Sequence, residues 1–359
     1  KGGANMTTYY PILRNSTAEI EALSKFYTHK NAIVDKVFPI IELKQVSFSK
    51  ETPPKFNTTG SYLKKKLGNH KLILQFSTTF SDETELELAK NWKHPMLGNP
   101  IETIQHYLTA SNINYYPCIT ANEPSWILDS LKTLNYKKLF VRVNNNYLNS
   151  NQKNNLDKIV TNIKSQFPNV SLTVILDYYN NLPELNDLVS LSKYLFQKDV
   201  GVIFCGTSCP ENADGYPSGD ITVGNKRHEL SLFQNAQKKL PYLNFSDYTV
   251  RLKPKPIFKK DKGFNSNNTY FKLFYTTSDS YVIAKSDLRS KLDDPEKINS
   301  SGICRLIVNS GYFTSSDYSW GDNFISHCAK EDIEFQINDH RKPIAIGINH
   351  HLHITQNQL

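Results

Sequence analysis

Apolar positions in this chain recur as short, uninterrupted runs separated by polar stretches of helical spacing. The first four runs lie at 9–13, 37–43, 72–76 and 115–119, and four more follow at 139–143, 172–177, 200–205 and 243–247. Each spans about five to seven residues and is apolar on both faces, as a parallel strand covered on both sides should be. Helices fit between them. Residues 17–27 open on a Ser/Thr cap and place Ile20, Leu23 and Phe26 on one face. Residues 154–167 carry Leu156, Ile159, Val160, Ile163 and Phe167 on one face, and 182–196 carry Leu185, Leu188, Val189, Leu191, Leu195 and Phe196.

Eight such alternations in about 240 residues match the count and length of a (β/α)8 barrel. An open doubly wound sheet is the competing architecture, but no glycine-rich phosphate fingerprint follows the first run. Beyond residue 250 the pattern changes. Residues 270–275 and 281–285 read as a hairpin around Thr277-Ser278-Asp279-Ser280, 303–309 and 323–329 as short helices, and 343–348 as a closing strand. Asp322 would cap the second of those helices. The expectation is therefore an α/β chain: a (β/α)8 TIM-like barrel over 6–250, then a basic loop and a C-terminal α+β elaboration over 251–359 packed on the barrel.

Composition narrows the classes. With 359 residues, 39% of them hydrophobic and 20 Tyr and 19 Phe among them, a packed core is within reach and bulk disorder is excluded. No apolar run approaches the roughly 20 residues of a membrane-spanning helix, so no membrane role is expected. Forty-two basic against 34 acidic residues give a net charge of +8. That balance suits a nucleic acid, a nucleotide or another phosphate-bearing partner, and equally a mildly basic soluble protein. Lys64-Lys65-Lys66 and the lysines from Lys253 to Lys262 are the densest basic clusters. Five cysteines, at 118, 205, 209, 304 and 328, are few and odd in number, which suggests a reduced, cytoplasmic protein. Lys1 to Asn5, before Met6, are read as foreign to the native chain.

Period-two reading of the runs sets polar residues near the C-terminal strand ends, where barrel activity sits. Glu42 and Lys44 share a face with Ile40, Gln75 with Ile73, Arg142 with Phe140, Asp177 with Ile175 and Asp247 with Phe245. Val141 and Val143 point the other way, so the Arg142 guanidinium enters the interior, where Glu42, Asp177 and Asp247 are its available counter-charges. In the functional reading, Glu42, Asp177 and Asp247 supply general acid–base or metal-binding oxygens, while Lys44, Gln75 and Arg142 hold an anionic group. In the structural one, they form a salt-bridge network that satisfies itself.

Weaker candidates accompany them. The loop from Cys205 to Pro210 could present backbone donors to a phosphate or be an ordinary tight turn. Cys205 as a nucleophile would need a base, with His228 nearest in sequence. Strand alternation would put His351 and His353 on one face, as transition-metal ligands or as packing.

The opening Tyr9-Tyr10-Pro11-Ile12-Leu13-Arg14, then Phe38-Pro39-Ile40-Ile41-Glu42-Leu43, resembles the start of the phage "beta protein" family. Val141-Arg142-Val143, Ile175-Leu176-Asp177 and Phe245-Ser246-Asp247-Tyr248 are similar too, as are Gly321-Asp322 and Gly347-Ile348-Asn349-His350-His351. The resemblance implies a barrel-like fold, a phage or bacterial host and a setting in phage–bacterium conflict. It brings no settled reaction. It makes Glu42, Arg142, Asp177, Asp247, His350 and His351 candidates, with Tyr248 beside Asp247 and the histidines on the substrate side.

Together these readings point to a cytoplasmic barrel hydrolase acting on a nucleotide or nucleic acid, with a divalent metal as the cofactor the carboxylates would allow. The alternative is a non-catalytic recognition or adaptor subunit that meets a partner protein of a defence system.

Overall fold

The structure is a computed structural model that describes residues 7–43, 56–79, 83–148, 151–250 and 269–359. Its elements begin with β1 (Ile12–Arg14), α1 (Thr17–Tyr27), β2 (Ile40–Glu42), α2 (Asn57–Leu67), β3 (Leu72–Gln75), α3 (Glu83–Asn91) and α4 (Pro100–Ala110). They continue with β4 (Tyr115–Thr120), α5 (Ser125–Lys132), β5 (Lys138–Asn144), α6 (Asn145–Leu148), α7 (Gln152–Gln166), β6 (Ser171–Asp177), α8 (Leu185–Gln197) and β7 (Gly201–Cys205). The last are β8 (Asp220–Lys226), α9 (His228–Gln237), β9 (Asn244–Ser246), β10 (Lys272–Thr276), β11 (Ser280–Lys285), α10 (Ser300–Asn309), α11 (Trp320–Ala329) and α12 (Arg341–Gln358). Two compact units form. One holds Lys1–Asn15, Asp35–Gly206 and Glu229–Asp247; the other holds Ser16–Val34, Thr207–His228 and Tyr248–Leu359.

The first unit is the expected barrel. Its eight strands run parallel in the order β1-β2-β3-β4-β5-β6-β7-β9. The ring closes where the Tyr10 and Ile12 amides donate to the Phe245 and Asp247 carbonyls, both at 2.8 Å. Closure leaves no strand edge unpaired. Both faces of each strand are covered, which is why the runs read as apolar throughout. Leu72 to Gln75 are all buried, as are Val202 to Cys205. Inside the barrel, Tyr10, Phe38, Tyr116 and Phe140 pack ring against ring, with centroids 5.7 to 6.3 Å apart. These rings fill the end away from the polar layer. Helix α4 is set by its ends: Asn99 caps it, Pro100 opens it and the Glu102 carboxylate returns to the Asn99 amide at 2.9 Å.

The second unit pairs an antiparallel sheet, β10-β11-β8, with α1, α10, α11 and α12. The hairpin foreseen from the sequence is present, with the Thr277 amide donating to the Ser280 carbonyl at 2.8 Å across its turn. Strand β8 lies where the apolar pattern predicts none, because it is an edge strand of largely exposed, polar residues.

Two local expectations fail here. Residues 343–348 are not a strand but the start of the 18-residue helix α12, buried on nearly all sides from Ala345 to His353. A short apolar run cannot distinguish a buried strand from an all-round buried helix. On that helix His351 and His353 lie about 200° apart instead of side by side. Helix α11 likewise starts three residues early. Ser319, not Asp322, is its cap, accepting the Asp322 amide at 3.0 Å.

Asp322 instead anchors a buried polar network. Its carboxylate accepts from the Ser319 hydroxyl, from the Tyr275 hydroxyl at 2.7 Å and from His350 Nδ1 at 2.7 Å. His350 Nε2 donates to the Thr276 carbonyl at 2.7 Å, and the ring stacks on Tyr275 with centroids 3.9 Å apart. Burial alone would raise the Asp322 carboxyl, but His350, Ser319 and Tyr275 together hold it below the ordinary carboxylate range. Both His350 nitrogens thus face hydrogen-bond partners, and its pair with Asp322 is fully buried. Gly321 makes the pairing possible: a Cβ there would stand 2.5 Å from the Ile346 carbonyl oxygen, so α11 can press against α12 only without one. Among the described residues no helix is long and apolar enough to cross a membrane.

Removing one partner of a buried pair strands the other charge, whereas exposed pairs contribute little. Asp322→Asn should therefore lower the unfolding free energy by about 3–5 kcal/mol in urea titrations. Asp317→Asn, which breaks the exposed pair with Lys30, should change it by less than about 0.5 kcal/mol.

Candidate active site

Strand register decides which side chains enter the barrel. Arg14, Glu42, Gln75 and Cys118 are successive partners across β1 to β4, Thr120 pairs with Arg142, and Asp177, Cys205 and Ser246 are successive partners across β6, β7 and β9. Partners in a parallel ladder point to the same side, so these residues form the inward polar layer at the C-terminal strand ends.

Arg142 lies at its centre. Its Nε donates to Asp177 Oδ2 at 2.7 Å, and its Nη1 donates to Glu42 Oε1 at 2.8 Å and to Gln75 Oε1 at 2.9 Å. The Arg142, Glu42 and Asp177 side chains are 12%, 12% and 4% exposed. Asp177 is aimed by its other oxygen, which accepts the Tyr179 amide at 3.1 Å, where the chain takes a left-handed turn at φ 56°. Four of the sequence candidates, on β2, β3, β5 and β6, are thus brought together.

The others are placed differently. Asp247 was expected inward with Phe245, but the register gives the inward place on β9 to Ser246. Asp247 follows the opposite, helix-facing side, is fully buried and accepts the Tyr9 hydroxyl at 2.6 Å. A run of five residues admits either frame, and the wrong one inverts every side chain. Lys44 lies outside the described residues. Tyr248, His350 and His351 belong to the second unit. Tyr248 is buried there, His350 is committed to Asp322, and His351 bonds the Thr276 and Thr355 hydroxyls at 2.8 and 3.2 Å. Cys205 is inward but wholly buried, and burial pushes its thiol well above the usual range, against a thiolate nucleophile. In the Cys205–Pro210 loop the Cys209 amide donates to Thr207 Oγ1 at 3.1 Å, the turn of the plainer reading. Among the described residues no group of three His, Cys, Asp or Glu is arranged to hold a metal ion.

Two ionisable side chains at this end of the barrel, an arginine and a glutamate, escaped the sequence reading. Arg14 is a second guanidinium, in register with Glu42; its signal was its position two residues beyond the inward Ile12. Glu123 is the other. It follows β4, and its Oε2 accepts the Thr120 amide at 2.7 Å and the Thr120 hydroxyl at 2.9 Å, while Oε1 is buried without a hydrogen-bond partner. Burial pushes its carboxyl up to about 7, against the lowering pull of the Thr120 amide and hydroxyl and the nearby Ser77 hydroxyl. Glu123 shares its surroundings with the cluster, because the Cys118 thiol feels the charges of Arg142, Glu123, Glu42 and Asp177 alike.

A raised carboxyl binds its proton more tightly folded than unfolded, so its contribution is complete below the unfolded value and is lost as pH rises through about 7. Glu123→Gln removes that loss. The variant should gain on the order of 2–3 kcal/mol over the unsubstituted protein at pH 8 and almost nothing at pH 4, read from urea midpoints.

Comparison with known proteins places the lineage. Solved structures that resemble the chain are xylanases at low identity. A psychrophilic glycoside hydrolase family 10 endo-beta-1,4-xylanase shares 9% identity over 67% of this chain and 86% of its own, with a TM-score of 0.38. A mutant of P fluorescens subsp. cellulosa xylanase A in complex with xylopentaose shares 11% over 68% and 87%, with a TM-score of 0.41. A thermostable xylanase mutant from Cellvibrio japonicus shares 8% over 68% and 86%, with a TM-score of 0.37. No curated protein matches the chain. One family, described as Beta protein, matches residues 9–356, nearly the whole length, in agreement with the motifs noted above. The chain belongs to the Beta protein family.

Proposed function

We propose that the chain is a hydrolase acting on a phosphate-containing substrate, a nucleotide or nucleic acid, at the C-terminal end of the barrel. The observation that carries this reading is the Arg142 cluster: one guanidinium holding Glu42 and Asp177 at 2.8 and 2.7 Å. A carboxylate steadied beside a fixed cation can take a proton from water without having to move, which is the office of a general base. Asp177 fits that role, since its second oxygen is fixed by the Tyr179 amide. Arg14 and Arg142 would orient the phosphate, and the net charge of +8 would draw a polyanion toward the protein. Gln75, bonded to Arg142, keeps that guanidinium in place. The setting we propose is the cytoplasm of a bacterium in conflict with phage.

One observation favours a second reading, that of a non-catalytic adaptor for a defence-system partner protein. Arg142, Glu42 and Asp177 bond one another at low exposure, as a self-satisfied structural network would.

Turnover assays separate the two. Nucleotide and nucleic-acid panels, with and without Mg2+ or Mn2+, should yield product with the unsubstituted protein. Asp177→Asn and Arg142→Ala, each checked for folding, should lose about 100-fold or more. Equal rates in all three proteins would end the hydrolytic reading. No turnover at all, with Asp177→Asn destabilised by about 3–5 kcal/mol, would leave the adaptor.

A further inference from the structure

Glu123 is a buried carboxyl of the barrel with one oxygen left without a hydrogen-bond partner. It stands in the loop after β4, at the end of the barrel where chemistry is carried out. Two Thr120 donors fix one oxygen of its carboxyl, while the other is enclosed with nothing to bond. A Thr-x-x-Glu stretch before a helix usually reads as a capping box, in which the glutamate reaches back to the threonine amide. Glu123 makes that bond to Thr120, but outside the helix: α5 begins later, on Pro124, with no side-chain cap at all. A cap would not need an enclosed, unbonded oxygen. A carboxylic acid holding a proton would tolerate one, because the neutral form loses little on leaving water. The titratable and charged groups of the same layer are Arg14 on β1, Glu42 on β2, Cys118 on β4, Arg142 on β5, Asp177 on β6 and Cys205 on β7; Ser77 and Thr120 stand beside the carboxyl itself.

We infer that Glu123 is the general acid of this site, complementing Asp177 as general base; the inference rests on the hydrolytic reading above. As water attacks phosphorus, its proton passes to Asp177 and the new O–P bond forms. The bond from phosphorus to the leaving oxygen breaks, and Glu123 gives that oxygen its proton. Exchange with solvent then returns one proton from Asp177 to Glu123, and the cycle closes with water, ester, alcohol and phosphate in balance. The two carboxyls can divide the work because their surroundings differ: Asp177 lies against a guanidinium, Glu123 against two Thr120 donors with its second oxygen buried and unbonded.

The test uses the full chain and the substrates that the panel identifies. Glu123→Gln, which keeps the shape and the Thr120 bonds, should cut kcat about 100-fold or more on alkyl phosphate esters, leave KM within about twofold, and abolish the alkaline limb of the kcat profile. On 4-nitrophenyl phosphate, whose leaving group needs no proton, the loss should stay below about tenfold. Thr120→Val removes a donor to the ionised form, so it should move the alkaline limb to higher pH. Carbon-13 NMR of glutamate-labelled protein should show one carboxyl titrating near neutral pH that disappears in Glu123→Gln. An unchanged rate and pH profile in Glu123→Gln, while Asp177→Asn is inactive, would overturn this inference alone. So would the absence of any glutamate titrating near neutral pH. An unsubstituted protein that turns over nothing would remove the hydrolytic reading and this inference together.

Discussion

A guanidinium enclosed in a barrel has nowhere to put its charge except on groups from other strands. Arg142 is placed inside because Val141 and Val143 take the helix-facing sides of β5, and both are fully buried there. Its neutralisation then requires β2, β3 and β6 to deliver Glu42, Gln75 and Asp177 at bonding distance. That requirement acts at long range in sequence, since the partners lie 100, 67 and 35 residues from Arg142. It therefore constrains barrel closure and strand register as firmly as the apolar interior does. A slip of one residue in β2 or β6 would withdraw one of its two carboxylates. The aromatic rings of Tyr10, Phe38, Tyr116 and Phe140 fill the other end without any such demand, and hydrophobic area alone would accept several arrangements there.

This explains which parts of the structure were legible in the sequence. Strands buried on both faces show as apolar runs, so the barrel was readable, and a charged residue flanked by two valines announces where it points. Legibility ended where a run was too short to fix its own frame. The stretch at 243–247 accepts either alternation, and tertiary pairing with β7 chose the one that turns Ser246 inward and Asp247 outward. The stretch at 343–348 is apolar enough for a strand or a buried helix, and the packing of α12 against β10 decided for the helix. Glu123 was hidden for a different reason. Its local pattern is that of a helix cap, and only the later start of α5, on Pro124, distinguishes it from one.

Two buried polar networks in this chain use the same residue types to opposite effect. Around Asp322 and His350 the donors and acceptors are matched inside the second unit, so the pair ties α11, α12 and β10 together. His353, on the same helix, also has a buried nitrogen without a partner. Burial, with His29 and His350 nearby, pushes that imidazole down to about 3, so it stays neutral through the range in which proteins work. An unpartnered atom is therefore not by itself a sign of chemistry. What sets Glu123 apart is that its unpartnered oxygen belongs to a group whose proton is held at about 7, beside carboxylates that a guanidinium has already engaged. Proton transfer needs such an inequality between neighbours, and a network in which every group is equally satisfied cannot supply one.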